Sequence, residues 1–141
     1  MDRSAIAVWQ GGVKSGKGRL TTESGVLSNT PYSFISRFEN EKETNPEELI
    51  AAAHAGCFTM DLSGRLEHAG MTAEQIQTEA TVTLSKGAKG FAVTQIHLEV
   101  KAKIANPDEE TFQTAVKKAK ENCPISRLLH TEITVYAQLE S

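Results

Sequence analysis

Asn45-Pro46-Glu47-Glu48-Leu49-Ile50-Ala51-Ala52-Ala53-His54-Ala55-Gly56-Cys57-Phe58-Thr59-Met60-Asp61-Leu62 is the stretch on which the fold turns. It opens as a helix start: Asn at the cap, Pro in the first helical position, and two acids where the helix dipole favours negative charge. Glu48 stands three residues after Asn45, a variant of the capping box. The apolar residues that follow cover almost every angle of the helical wheel, so the N-terminal half of the helix has no polar face. A helix apolar all round has to be buried on all sides. One chain of 141 residues with about six strands struggles to enclose it, which points to a partner chain.

On the C-terminal side the apolar period changes to two. Ile76, Thr78, Ala80, Val82 and Leu84 alternate with polar residues, as do Ile96, Leu98, Val100, Ala102 and Ile104, and then Ile133, Val135, Ala137 and Leu139. Each run reads as a strand with one buried and one wetter face. Lys86–Gly90 suits a hairpin turn between the first two. Asn106-Pro107-Asp108-Glu109-Glu110 repeats the helix start, and Phe112, Ala115, Val116 and Ala119 form the inner face of an amphipathic helix, with Lys117, Lys118 and Lys120 as its solvated side. Pro124 disfavours helical geometry at Cys123 and suits the first position of a new helix, so Cys123 falls at a helix start. On the N-terminal side, Ala5–Trp9, Arg19–Leu27 and Tyr32–Phe38 read as shorter strands. The order βββ-α-ββ-αα-β is an α+β arrangement in a single domain over 1–141.

Hydrophobic residues make up 39% and charged residues 23%, with a net charge of −3, which gives no general attraction to nucleic acid or to anionic membranes. No apolar run approaches the roughly 20 residues of a membrane span. The opening lacks the basic-then-apolar layout of a secretory signal, and two distant cysteines do not make a disulfide scaffold. The expectation is a cytoplasmic protein with reduced thiols.

Cysteine is the only obvious reactive group. HExxH, P-loop, GxSxG and CxxC patterns are all absent. Cys57 falls within the apolar helix and Cys123 at a helix start; two inert core thiols remain an open reading at this point. His54 lies three before Cys57 on the same helix face. It could tune the thiol, or join Cys57, Cys123 and His130 around a metal. A packed histidine fits better, because zinc motifs bring a tight ligand pair in a loop. Asp61, four after Cys57, opposes thiolate formation, and Arg65, a further four on, is placed to pair with it.

The blocks Asn45-Pro46-Glu47-Glu48-Leu49 through Ala55-Gly56-Cys57-Phe58, and Asn122-Cys123-Pro124-Ile125-Ser126, together resemble the osmotically inducible protein C (OsmC) and organic hydroperoxide resistance family. Thr22-Glu23-Ser24-Gly25-Val26-Leu27 and Pro31-Tyr32 through Arg37-Phe38 resemble the OsmC branch. The resemblance covers nearly the whole chain. It implies two antiparallel-type sheets wrapped around central helices in an intertwined homodimer. It also implies a thiol-dependent peroxidase that reduces organic hydroperoxides, and hydrogen peroxide less efficiently, in oxidative or osmotic stress defence. Cys57 would attack the peroxide and Cys123 would resolve the sulfenic acid as a Cys57–Cys123 disulfide. Arg37 would activate, Glu47 would hold Arg37, and Arg19 is the weaker arginine candidate. No metal, flavin or haem is implied; a dithiol would return the electrons, with lipoylated proteins or dihydrolipoamide as the donor the family points to.

These residue types suit that chemistry. A free thiol of pKa about 8.5 is only about 3% ionised at pH 7, and the alkoxide expelled from the O–O bond needs charge stabilisation. A guanidinium serves both needs, and near an apolar helix it requires a carboxylate to hold it. Glu47 and Cys57 are ten residues apart, about 15 Å along one helix, so they cannot touch directly. If both serve one site, the glutamate comes from a second chain or acts through Arg37. A redox-responsive or ligand-binding protein without turnover is the alternative.

Overall fold

The computed structural model of the chain describes residues 1–39 and 42–140 and divides into two compact units, Met1–Leu49 and Ile50–Ser141. In the first unit β1 (Ala5–Gln10), β2 (Lys17–Thr22) and β3 (Thr30–Tyr32) form an antiparallel sheet in the order β1-β2-β3. Trp9, Gly18 and Tyr32 are paired across its three strands. A Cβ on Gly18 would come within 2.4 Å of the Tyr32 ring and 2.7 Å of the Trp9 ring. Glycine there lets the two aromatic rings close to a centroid distance of 5.5 Å over the sheet, an attractive tilted pairing.

Two N-terminal expectations need correcting. The strand expected over Arg19–Leu27 stops at Thr22, because the chain turns back on itself. Gly25 takes a positive φ of 78°, and Leu27 donates its N–H to Thr22 Oγ1 at 3.1 Å. The strand expected over Tyr32–Phe38 gives way to a short helix, α1 (Phe34–Phe38). Ser33 caps it by accepting from the Ser36 N–H while its own N–H donates to Ser36 Oγ, a reciprocal box that apolar periodicity does not register.

Helix α2 (Pro46–His68) starts as expected: the Glu48 N–H donates to Asn45 Oδ1 at 2.8 Å, and Asn45 Nδ2 donates back to the Ser36 carbonyl at 3.0 Å.

The second unit is built on β4 (Ala73–Gly87), β5 (Gly90–Ile104) and β6 (Glu132–Leu139), in the order β4-β5-β6. β4 and β5 form the expected hairpin, closed at Gly87 opposite Gly90, where φ is 105°. β6 lies parallel to β5, so this sheet is mixed where an antiparallel one was expected. The helices α3 (Glu109–Asn122) and α4 (Pro124–Leu128) intervene as a crossover and bring the chain back in the same direction. Asp108, rather than Asn106, caps α3 by accepting from the Thr111 N–H, while Asn106 turns the chain at φ 53°.

The core of this unit joins Phe58, Leu62 and Leu66 of α2 to Ile96, Leu98 and Val100 of β5 and to Phe112, Val116 and Ala119 of α3. Each large side chain so buried stabilises the unit by about 1.5–3 kcal/mol relative to exposure. Along α2 the buried positions His54, Phe58, Leu62 and Leu66 recur every four residues, a single stripe. Ala52, Ala53, Gly56 and Met60 are exposed, so one chain covers one face of a helix expected to be enclosed on all sides. No described helix is long and apolar enough to cross a membrane.

Candidate active site

Both cysteines belong to the second unit, and both are free thiols. Cys57 is half-buried on α2. Cys123 is fully buried and caps α4, accepting from the Ser126 N–H at 3.4 Å. The fold brings Cys123 near enough to Cys57 to act on its ionisation. Burial pushes the Cys57 thiol above its ordinary pKa; the Ile125 backbone N–H draws it down, while Cys123 and the Asp61 carboxylate push it further up. Arg65 does pair with Asp61 across one helical turn, yet the carboxylate still opposes ionisation of Cys57. Among the described residues, none of the groups acting on Cys57 is a cation.

His54 is fully buried, with Nε2 2.7 Å from Ser126 Oγ. Ser126 Oγ in turn lies 3.0 Å from Cys123 Sγ. Desolvation holds the imidazole below its ordinary pKa. His54 is thus the packed, hydrogen-bonded histidine expected, and His130 is exposed. Among the described residues no group of three His, Cys, Asp or Glu side chains is placed to hold a metal ion. The sequence reading passed over Ser126. The signal was available in its position three after a capping residue, where its N–H is bound to point at the cap's side chain.

In the first unit, Arg37 on α1 meets Glu47 in the first turn of α2. Arg37 Nε donates to Glu47 Oε1 at 2.9 Å, and Nη2 lies 2.7 Å from the same oxygen. Glu47 Oε2 is buried with no hydrogen-bond partner among the described residues. Arg37 also lines a recess of about 240 Å³ with Trp9, Val13, Tyr32, Phe34 and Pro46. The other arginine candidate, Arg19 on β2, donates to the Asn29 carbonyl at 3.3 Å. Each unit therefore assembles one half of the expected residue set: a thiol pair in one, a guanidinium held by a carboxylate in the other.

The family of OsmC-like proteins matches this chain over residues 39–138. The chain belongs to that family. The OsmC-like chain is 51% identical to peroxiredoxin OsmC of Escherichia coli, over 96% of its own length and 94% of that protein's. It is 29% identical to the organic hydroperoxide resistance protein OhrB of Bacillus subtilis, over 87% and 89% of the two chains. Solved structures share the fold. An OsmC-like protein of unknown function from Vibrio cholerae superposes with a TM-score of 0.79 at 20% identity, covering 97% of this chain and 99% of that one. The crystal structure of OhrB from Bacillus subtilis gives 0.68 at 26% identity, covering 97% and 98%. This OsmC-like protein is an oxidoreductase of the peroxidase class.

Proposed function

We propose that this protein reduces organic hydroperoxides, and hydrogen peroxide less efficiently, through a cycle of thiolate, sulfenic acid and disulfide. The observation that carries the reading is the apposition of Cys57 and Cys123 as free thiols in one unit. The Cys57 thiolate attacks one peroxide oxygen, the O–O bond breaks, and the alkoxide leaves to take up a proton as the alcohol. The Cys123 thiol then displaces water from the Cys57 sulfenic acid, forming the disulfide. A dithiol, of the dihydrolipoamide or lipoylated-protein kind, reduces that disulfide and becomes a disulfide itself.

The surroundings of Cys57 within residues 50–141 raise its pKa, so the cycle needs a cation from elsewhere. Arg37 is the residue we assign, oriented by Glu47, favouring the thiolate and the departing oxygen alike. The aromatic recess beside Arg37 supports an organic substituent on the peroxide over a small polar one. Ala52, Gly56 and Met60 exposed along α2, with Ile6 66% and Val8 50% exposed on β1, support a homodimer that covers them. We take residues 1–141 as one OsmC-like domain of that dimer.

Thiol titration after one equivalent of cumene hydroperoxide tests the cycle. The parent protein should lose two thiols, and Cys123→Ser should hold a trapped Cys57 sulfenic acid; an unchanged thiol count refutes it. Many equivalents of peroxide consumed with dithiothreitol present distinguish an enzyme from a one-shot redox switch. Light scattering should give the mass of two chains for the parent and of one for a Val8→Glu, Met60→Glu double variant.

A further inference from the structure

His54 and Ser126, which lead in a buried line to Cys123, have no part in the cycle as written above. The three side chains are at most 7% exposed and are spaced at 2.7 Å and 3.0 Å. The other ring nitrogen of His54, Nδ1, is buried with no hydrogen-bond partner among the described residues. An orphaned buried N–H is rarer than an unused acceptor, so the tautomer that fits carries its proton on Nε2. His54 Nε2–H then donates to Ser126 Oγ, and the Ser126 hydroxyl proton is directed at Cys123 Sγ. The Ser126 N–H points at the same sulfur from 3.4 Å. The ring is neutral in this arrangement, consistent with the effect of its burial. Donors aimed at a sulfur stabilise the negative charge that develops there when its bond breaks, since hydrogen bonds to charged acceptors are the stronger ones. A sulfur whose thiolate is stabilised is the better leaving group in thiol–disulfide exchange. Cys57 is also the more exposed of the two sulfurs.

We propose that His54, acting through Ser126, makes Cys123 the sulfur that departs when a dithiol reduces the Cys57–Cys123 disulfide, so that the donor attacks Cys57. The inference rests on the disulfide cycle proposed above. A donor thiolate bonds to Cys57 Sγ, the Cys57–Cys123 bond breaks, and its electron pair passes to Cys123 Sγ, where the Ser126 O–H and N–H receive it. The second donor thiolate attacks the donor sulfur of the mixed disulfide, closing the donor's own disulfide and releasing Cys57 as thiolate. The two protons lost by the donor thiols balance the two cysteine thiolates. Ser126 touches a reacting sulfur; His54 is a positioning residue.

The test begins with protein oxidised by one equivalent of cumene hydroperoxide. It is treated with 2-mercaptoethanol, quenched with N-ethylmaleimide and mapped by mass spectrometry, and its reduction by dithiothreitol is followed by stopped flow. The expected result is the mercaptoethanol adduct on Cys57 and the maleimide on Cys123. Reduction should slow about tenfold in Ser126→Ala and in His54→Leu, and His54→Gln, which keeps an N–H donor, should recover most of the rate. A mercaptoethanol adduct on Cys123, or parent-like rates in both Ser126→Ala and His54→Leu, overturns this inference and leaves the cycle standing. Parent protein that forms no disulfide overturns both. Ser126→Ala, a small deletion, carries the test if His54→Leu does not fold.

Discussion

Residues 50–141 hold the whole buried hydrophobic cluster, from Phe58 to Ala137, while the described residues of 1–49 contribute nothing to it. The sheet of the first unit instead leaves all six residues of β1 exposed, Ile6 and Val8 among them. The two regions also divide the chemistry. The thiols sit in the region with its own core, whose packed side chains hold rotamers and distances. The guanidinium sits at 41% exposure in the region without one. Sulfur chemistry can thus be preorganised within a single folded unit, whereas the proposed cationic half belongs to a unit whose sheet leaves apolar residues exposed.

The sharpest test of that division is Cys57→Ser. Turnover of cumene hydroperoxide should fall about 10³-fold or more, because no other group on α2 replaces the nucleophile. The thermal midpoint should stay close to the parent's, since the change removes little volume; surviving turnover would take Cys57 out of the mechanism. One residue along, Phe58→Ala should cost about 3–5 kcal/mol in urea unfolding. Ile6→Ala, on the exposed strand, should cost about 0.5 kcal/mol or less in a monomeric background. Equal costs at the two positions would erase the contrast between the regions.

Arg37→Ala should lower peroxidase turnover by about 10²–10³-fold while costing about 1–3 kcal/mol of stability, because the Glu47 carboxylate, 12% exposed, loses its partner. Parent-like turnover would exclude Arg37. The smallest effect is on acid stability. The folded protein holds His54 below its ordinary pKa of 6.5, so on acidification the unfolded chain takes up a proton there before the folded one does. Stability is therefore complete above about pH 6.5 and declines as the pH falls towards the folded value. Urea midpoints measured from pH 7 to pH 5 should fall less steeply in His54→Gln than in the parent. Identical slopes would mean that His54 is not the group responsible.

Much of the second unit was legible because its signals are local and repeated. Alternation along β4, β5 and β6, acids and proline at helix starts, and the glycines of the Gly87–Gly90 turn all act over a few residues. The first unit was less legible. The α1 helix rests on two serines that cap each other, and β2 ends where a threonine and a glycine fold the chain back. Neither leaves an apolar period to read. The parallel placement of β6 was hidden for a different reason: direction depends on what the intervening helices do in space. At the site, Arg37 and Glu47 were named from the resemblance and do pair. Ser126 was missed because its meaning lies in joining residues 54 and 123, far apart in the chain.

Residue order alone was enough for the element types, the inward faces of the strands, the start of α2 and the kinship, since propensity, capping and periodicity operate between near neighbours. The nearness of Cys123 to Cys57, the buried line running from His54, and the division into a cored and an uncored unit required the folded chain. Those depend on packing between elements remote in sequence, and on how burial changes the free energy of placing a proton on sulfur or imidazole.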